Sequence, residues 1–502
     1  MRLISFLLVT LGGFAAAHAA GGDVEADTTA VASGDTCCAI LKVYFGDKLA
    51  DQGSATYNES LATYWSAQEE QMFPKCIVRP TSAMDVSKAL RFLVPLSCKF
   101  AIRAGGFGTV PGIANIKGGV TIDLRGLNDV ALNGDNTTVN VGSGATWGSV
   151  YSQLQTSNLT VAGARAGSVG VGGSTLAGGL GDFAPKAGFA ADQVIAFQVV
   201  LANGDIVTAS ATQNVGLYKA LKGGSSNLGI VTRFTFKTFA IDNIWGGTIL
   251  YNKTTIDAHA QALYDFASNP TYDTSAGYLL SFIYNPSFGT ILASRLAYAE
   301  PTANPPVFQA ITAIPEQLQN NTQITNVAAF SNLSLSFSAD GYRQDNWDLT
   351  FENNVVWYKS LYGLFQNSIS SLKGVENVTW AFTLEPIVPA ILTQSQTTGG
   401  NILGLDSITL PGLALGVFSA TWQAPDKDKQ VYEASDKFLQ KVTDVAKKAK
   451  VLQQYVDVNY AGRKQNPIAS FGTANVAYLK QVAKQVDPNG VFQKLVPGGF
   501  KL

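Results

Sequence analysis

The chain of 502 residues carries 35 basic and 36 acidic side chains, for a net charge of -1, with 49 glycines, four cysteines and two histidines. Charged residues make up only 14%, so there is no basic stripe to displace counterions from phosphate; this excludes nucleic acid and points to small-molecule partners. Two histidines, one of them in a segment read as removed, argue against multi-histidine metal sites and most Ser-His-Asp arrangements.

At the N-terminus, Arg2 supplies a positive flank, Leu3 to Ala17 an apolar run too short to span a bilayer, and Ala17-His18-Ala19 a small-x-small cleavage site. Residues 1–19 are therefore read as a secretory signal peptide. No later segment sustains about 18 apolar residues, so no membrane association is expected and the mature chain belongs to the secretory pathway or the exterior. Seven N-x-S/T sequons, at Asn58, Asn136, Asn158, Asn252, Asn320, Asn332 and Asn377, fit that compartment. Cys37, Cys38, Cys76 and Cys98 form an even set in an oxidising environment. Because a bridge between neighbours is strained, Cys37 and Cys38 are each expected to pair with Cys76 or Cys98.

From about Cys76 to Phe239 the chain is rich in glycine and β-branched residues, and short runs such as Val120 to Leu124, Thr138 to Val141 and Gln198 to Ala202 read as strands. The stretch from Thr81, with Asp85 in its first turn, starts a helix. From Ile241 to Lys450 glycine thins. Ala276 to Tyr284 reads as a strand, Asp426 to Lys450 as an amphipathic helix, and His259 falls on a surface helix. Val451 to Tyr460 reads as a further strand, followed by a helix near Asn475 to Gln485 and a turn at Asp487-Pro-Asn-Gly. The segments are 1–19, 20–240 with a core at about 76–240, 241–450, and a return at 451–502.

Three loops are dense in glycine: Arg103-Ala-Gly-Gly-Phe-Gly108, Gly167-Ser-Val-Gly-Val-Gly-Gly-Ser174 and Gly178-Gly-Leu-Gly181. A dinucleotide fingerprint fails at the second, which lacks the third glycine and the strand-loop-helix context. Lys222-Gly-Gly-Ser-Ser is no phosphate loop of the Walker type, because the lysine precedes the glycines. Several such loops in one domain let backbone N–H groups approach a pyrophosphate with no Cβ in the way.

These loops, with Phe100-Ala-Ile-Arg-Ala-Gly-Gly106, Gly188-Phe-Ala-Ala-Asp-Gln-Val194, Ala220-Leu-Lys-Gly-Gly-Ser-Ser-Asn-Leu-Gly229, Asn459-Tyr460 and Asp487-Pro-Asn-Gly-Val-Phe492, resemble in order the motifs of berberine-bridge-enzyme-like FAD-linked oxidases. The resemblance runs from about Cys37 to the C-terminus. It implies an α+β fold: a split FAD-binding domain of the vanillyl-alcohol-oxidase type, with an inserted substrate domain built on an antiparallel sheet with helices. It also implies that Arg103, Ala104, Gly105, Gly106, Phe107 and Gly108 hold the FAD pyrophosphate, supported by Gly170, Gly172, Gly173 and Gly178. Gly229, Ile230 and Val231 then meet the adenosine half, and Asn459 and Tyr460 the isoalloxazine.

Two departures from the family pattern bear on the cofactor. Phe107 stands where relatives place a flavin-linking histidine, and Ala191 where a linking cysteine is expected. FAD is thus expected to be held noncovalently, which leaves a flavin less able to abstract hydride from an unactivated alcohol. Alternation along 451–460 sets Gln453, Tyr455, Asp457 and Asn459 on one face. A carboxylate there, buried near a flavin, has its pKa raised and suits proton transfer near neutral pH. Asp457, Tyr455 and Glu385 are therefore the candidate catalytic residues, with no metal. The expected reaction is dehydrogenation of a small hydrophobic natural-product intermediate, hydride passing to flavin N5 and oxygen reoxidising it. The alternative is a redox-neutral isomerase or cyclase that keeps FAD as a structural element.

Overall fold

Short β-branched runs bounded by glycine form a four-stranded and a five-stranded sheet in the first 240 residues. The structure, a computed structural model, describes residues 32–333, 340–405 and 408–502; the expected signal peptide lies outside the described residues. One sheet has the order Leu49–Asp51, Cys76–Val78, Val120–Asp123, Phe100–Arg103, with the last three strands parallel. The other is antiparallel, in the order Val130–Leu132, Thr138–Gly142, Ile230–Lys237, Val194–Val200, Ile206–Ser210. Alternation there buries Val139 and Val141 opposite Phe236 and Phe234, so one face packs while the other carries Asn140 and Thr235. The helix Ala83–Leu93 starts as its sequence predicts, with the Asp85 amide donating to the Ser82 hydroxyl at 3.1 Å.

Residues 244–422 supply a larger antiparallel sheet, in which Gly289–Tyr298, Ala276–Asn285, Thr379–Ile387 and Leu413–Trp422 lead in that order to the edge strand Arg343–Glu352. The expected helix at 426–450 is Asp428–Lys448; it buries Val431, Ala434, Phe438, Val442 and Ala446 at helical spacing. Phe438 meets Trp347, Trp380 and Phe418 of the sheet with ring centroids 5.4, 6.1 and 5.6 Å apart, so this face is an aromatic core. The opposite face carries serine, threonine and amide side chains. The C-terminal residues return to the first sheet, where the Phe100 amide donates to the Leu495 carbonyl at 2.9 Å. The Asp487 carboxylate caps the closing helical turn by accepting from the Val491 and Phe492 amides.

Two expectations are corrected. Val451 to Tyr460 is not a strand; after a bridge between Leu452 and Phe351 it becomes irregular. Carboxylates take the ladder's place: the Asp457 amide donates to Asp348 Oδ2 at 2.7 Å and the Asn459 amide to Asp457 Oδ1 at 2.8 Å. His259 does sit on a helix, Ile256–Ser268, but its ring is buried edge-on against Tyr251 and its Nδ1 bonds the Thr255 carbonyl. The aromatic neighbours make it a core residue.

The cysteines pair as Cys37–Cys98 and Cys38–Cys76, so adjacent residues of the helix Gly34–Phe45 are tied to two different positions of the first sheet. Closing loops of 61 and 38 residues restricts the unfolded chain, and each bridge is worth about 2–5 kcal/mol on that account. Cys37→Ser with Cys98→Ser is expected to lower the thermal midpoint in differential scanning calorimetry under non-reducing conditions; an unchanged midpoint would show that packing of the helix alone suffices.

Candidate active site

The glycine loops and the polar face of the large sheet enclose a cavity of about 520 Å³, within the usual range for small-molecule sites. One wall is backbone. Gly105 and Gly170 meet so closely that a Cβ built on Gly170 would lie 2.5 Å from the Gly105 Cα, and one on Gly105 2.6 Å from the Gly170 Cα. Only glycine permits this contact, which brings the loop after strand Phe100–Arg103 against the loop before helix Val171–Leu176. Ala104 and Gly105 to Gly108 line the cavity, as do Gly170, Gly172 and Gly173; Gly229, Ile230 and Val231 line it beside Ser225 and Ser226. Asn459 and Tyr460 also reach it.

Arg103 and Gly178 do not line it. Arg103 ends its strand facing the other way, its guanidinium bonded to the Ser60 and Thr63 carbonyls and stacked 3.6 Å from the Tyr64 ring centre. Gly178 packs on Leu403 and Phe189, and its neighbour Gly179 takes the lining position. Ala191 is fully buried behind Gly178, whose carbonyl accepts from its amide. Its identity therefore says nothing about attachment of a group in the cavity. Phe107 does line the cavity, stacked on Trp65 with centroids 4.2 Å apart and planes 4° from parallel.

The second wall is the sheet. Alternation along its strands points Ser281, Thr383, Ser419, Thr421, Gln344 and Asn346 into the cavity. Two hydrogen bonds order this surface, Ser281 to Thr383 at 2.8 Å and Thr421 to Gln344 Oε1 at 2.7 Å.

None of the three candidate catalytic residues lines the cavity. Tyr455 and Asp457 lie behind Val458, Asn459 and Tyr460, with the Tyr455 hydroxyl donating to Asp457 Oδ2 at 3.1 Å. Burial pushes the Asp457 carboxyl up to about 6 and the Tyr455 hydroxyl well above its ordinary range. Glu385 is a buried partner of Arg165, which bonds both of its oxygens; burial raises its carboxyl and the guanidinium opposes that. Arg165 itself lines the cavity and also pairs with Asp182, which Arg295 joins.

Sequence reasoning missed Asp348, Trp65, Arg165 and the hydroxyl wall. Asp348 is fully buried, and burial together with the nearby Asp457 holds its carboxyl well above the usual range. A signal for the wall exists in Arg343-Gln-Asp-Asn-Trp-Asp-Leu-Thr350: Gln344, Asn346, Asp348 and Thr350 share one face of a strand that buries Trp347 and Leu349 on the other.

The family profile described as "FAD binding domain" matches residues 74–210. Over its length the chain is 35% identical to the FAD-dependent monooxygenase sdcF of Emericella nidulans, covering 93% of this chain and 98% of that one. It is 31% identical to the FAD-dependent monooxygenase tpcD of Cochliobolus heterostrophus, covering 99% of each. The solved glucooligosaccharide oxidase of Acremonium strictum shares the fold with a TM-score of 0.76 at 19% identity over 93% of this chain and 98% of that one. Physcomitrella patens BBE-like 1 does so with 0.74 at 19% over 92% and 98%.

The chain belongs to the family of these fungal FAD-dependent monooxygenases and is an FAD-linked oxidoreductase. The α+β fold and its FAD-binding portion follow, and the cavity fits the cofactor of this family. The glycine cradle gives a dinucleotide close access to backbone amides, and the Ser143 hydroxyl on the same wall finds no partner among the described residues. Gly170→Ala would force the two loops apart at a strain cost of about 1–3 kcal/mol. FAD is expected to dissociate roughly ten- to hundredfold more readily, measured by recovery of free-flavin fluorescence on dilution; unchanged retention would show that the loop contact does not shape the cofactor site.

Proposed function

We propose that this oxidoreductase holds FAD noncovalently and dehydrogenates a small molecule bound between the glycine cradle and the sheet. The observation that carries the attachment is the composition of the wall: all four cysteines are in disulfides, His259 is buried in another core, and Phe107 occupies the loop position of the family's histidine. One solved relative, from Acremonium strictum, is described with a 6-S-cysteinyl, 8α-N1-histidyl FAD, and this cavity offers neither side chain. Residues 20–240 and 451–502 would hold the cofactor and 241–450 the substrate. The two disulfides and the exposed sequons at Asn58, Asn136, Asn158, Asn320, Asn332 and Asn377 support passage through an oxidising, glycosylating compartment.

The chemistry FAD supplies when bound is acceptance of hydride at N5 and reoxidation by oxygen. The chain's own residues orient the substrate and manage its proton. Tyr460 and Arg165 are the ionisable groups on the wall. Burial keeps the Tyr460 hydroxyl protonated at neutral pH, so it serves as a hydrogen-bond donor. The proton released by the substrate goes to Asp457, directly beneath, with Tyr455 bonded to its carboxylate and Glu385 holding Arg165 in place.

Asp457 accepts a proton only when ionised, so the rate of flavin reduction under anaerobic conditions should rise as pH passes through about 6. Asp457→Asn should lose about a hundredfold in that rate and lose the pH dependence with it; an unaltered profile would remove Asp457 from the reaction. Flavin bleaching followed by hydrogen peroxide on admission of air is expected. Product formed with no bleaching would favour the redox-neutral reading, and label from isotopic oxygen in the product would favour the oxygen insertion named for the fungal relatives.

After acid precipitation FAD should be recovered intact in the supernatant. Flavin retained in the washed pellet would overturn noncovalent binding.

A further inference from the structure

One corner of the cavity holds three buried polar atoms that no other part of the described structure satisfies: the indole Nε1 of Trp65, the amide Nε2 of Gln344 and the Oδ1 of Asn346. Trp65 is 8% exposed and Gln344 1%. A buried polar atom left without a partner costs about 1–3 kcal/mol, and three in one corner is a concentration that folding alone does not explain.

Local structure explains how they come together. The segment after Leu61 docks on the start of strand Arg343–Glu352: the Ala67 amide donates to the Tyr342 carbonyl at 2.9 Å, and Gln68 clamps Gln344 by accepting from its amide at 3.1 Å and donating to its carbonyl at 2.9 Å. This sets the flat Trp65–Phe107 stack beside the amides of the sheet. The Thr421 hydroxyl fixes the Gln344 side chain through its Oε1, which turns Nε2 toward the cavity.

The corner thus presents two donors and one acceptor next to an aromatic plane, with no ionisable side chain among its members. Arg165 is already engaged by Glu385 and Asp182. A charged ligand group would find no counter-charge in this corner, and a hydrocarbon would leave three polar atoms unmet.

Resting on the reading that this cavity binds FAD and a small molecule, we infer that Trp65, Gln344 and Asn346 form a specificity subsite for a neutral, oxygenated ring, one whose carbonyl or hydroxyl oxygens meet Trp65 and Gln344 and whose hydroxyl donates to Asn346. The subsite narrows the expected hydrophobic substrate to one bearing oxygen functions at the recognised edge. Sites that hydrogen-bond a hydroxyl reject analogues lacking it far more strongly than apolar pockets reject a missing methylene.

The test uses FAD-loaded protein and three fragments of similar shape: resorcinol, m-xylene and 3-hydroxybenzoate, with binding followed by calorimetry and by perturbation of the flavin spectrum. Resorcinol should bind about tenfold or more tightly than m-xylene or 3-hydroxybenzoate. Gln344→Leu should remove that preference, weakening resorcinol about tenfold while leaving m-xylene within about twofold. Asn346→Leu provides the same comparison should the first variant fold poorly. Equal binding of resorcinol and m-xylene to the wild type, or equal loss of both in the variants, would overturn the subsite. Failure of the cofactor reading is seen separately, as protein that carries no FAD spectrum before any fragment is added.

Discussion

Arg165 leaves the loop that leads to Gly170 and crosses to Glu385 on the large sheet, where Asp182 and Arg295 complete a buried charge cluster. The cavity has two walls of different origin, glycine backbone on one side and a polar sheet face on the other, and neither closes on its own. Apolar packing across the gap would fill the space a ligand needs. A satisfied ion cluster at its edge fixes the spacing instead, and removing one member of such a cluster typically costs about 3–5 kcal/mol because the others stay buried without counter-charge. The Gly105–Gly170 contact completes the frame on the loop side.

This arrangement also explains why Glu385 is a poor candidate for direct proton transfer. A carboxylate that accepts both arms of a guanidinium is oriented toward its partner, with both oxygens engaged. Its effect on the reaction runs through Arg165, which does reach the cavity. Asp457, the proposed proton acceptor, has a positional effect as well: it fixes the backbone of Asn459 through a hydrogen bond and thereby helps to set the wall residues Val458, Asn459 and Tyr460 that follow it.

Regular elements were legible in the sequence wherever one face packs on a core. Asp428–Lys448 and Ala276–Asn285 fall within a residue or two of their expected limits because their apolar periods are answered by one partner surface. The segment 451–460 misled because its alternation is real, yet its amides are taken by the Asp348 carboxylate of the neighbouring strand and by its own Asp457 carboxylate where a ladder would need carbonyls. The glycine loops that line the cavity were legible because a missing Cβ is a property of the residue. Arg103 was not, since the direction of a side chain at a strand end depends on what fills the other side, here the Tyr64 ring and two carbonyls. The disulfide partners were narrowed to two pairings, and only the placement of the helix Gly34–Phe45 decides between them. Trp65 and Gln344 are 279 residues apart by their numbers, and nothing local to either announces that they share a corner.

The carboxylates are kept one layer behind the cavity wall. Asp348 and Asp457 face each other across a backbone hydrogen bond, both buried and both raised, so two ionised carboxylates at once would repel in a medium that screens them poorly. The pair therefore holds a proton across the range in which an isolated aspartate would have lost it. Placed beneath Asn459 and Tyr460, it would take up the proton in the proposed reaction, while the hydroxyl and amide face of the sheet stays uncharged and continues to discriminate by hydrogen bonding. A carboxylate on the wall would serve the first purpose at the expense of the second, because it would bind any cation and repel the electron-rich oxygens that the amides and hydroxyls of the sheet are set to recognise.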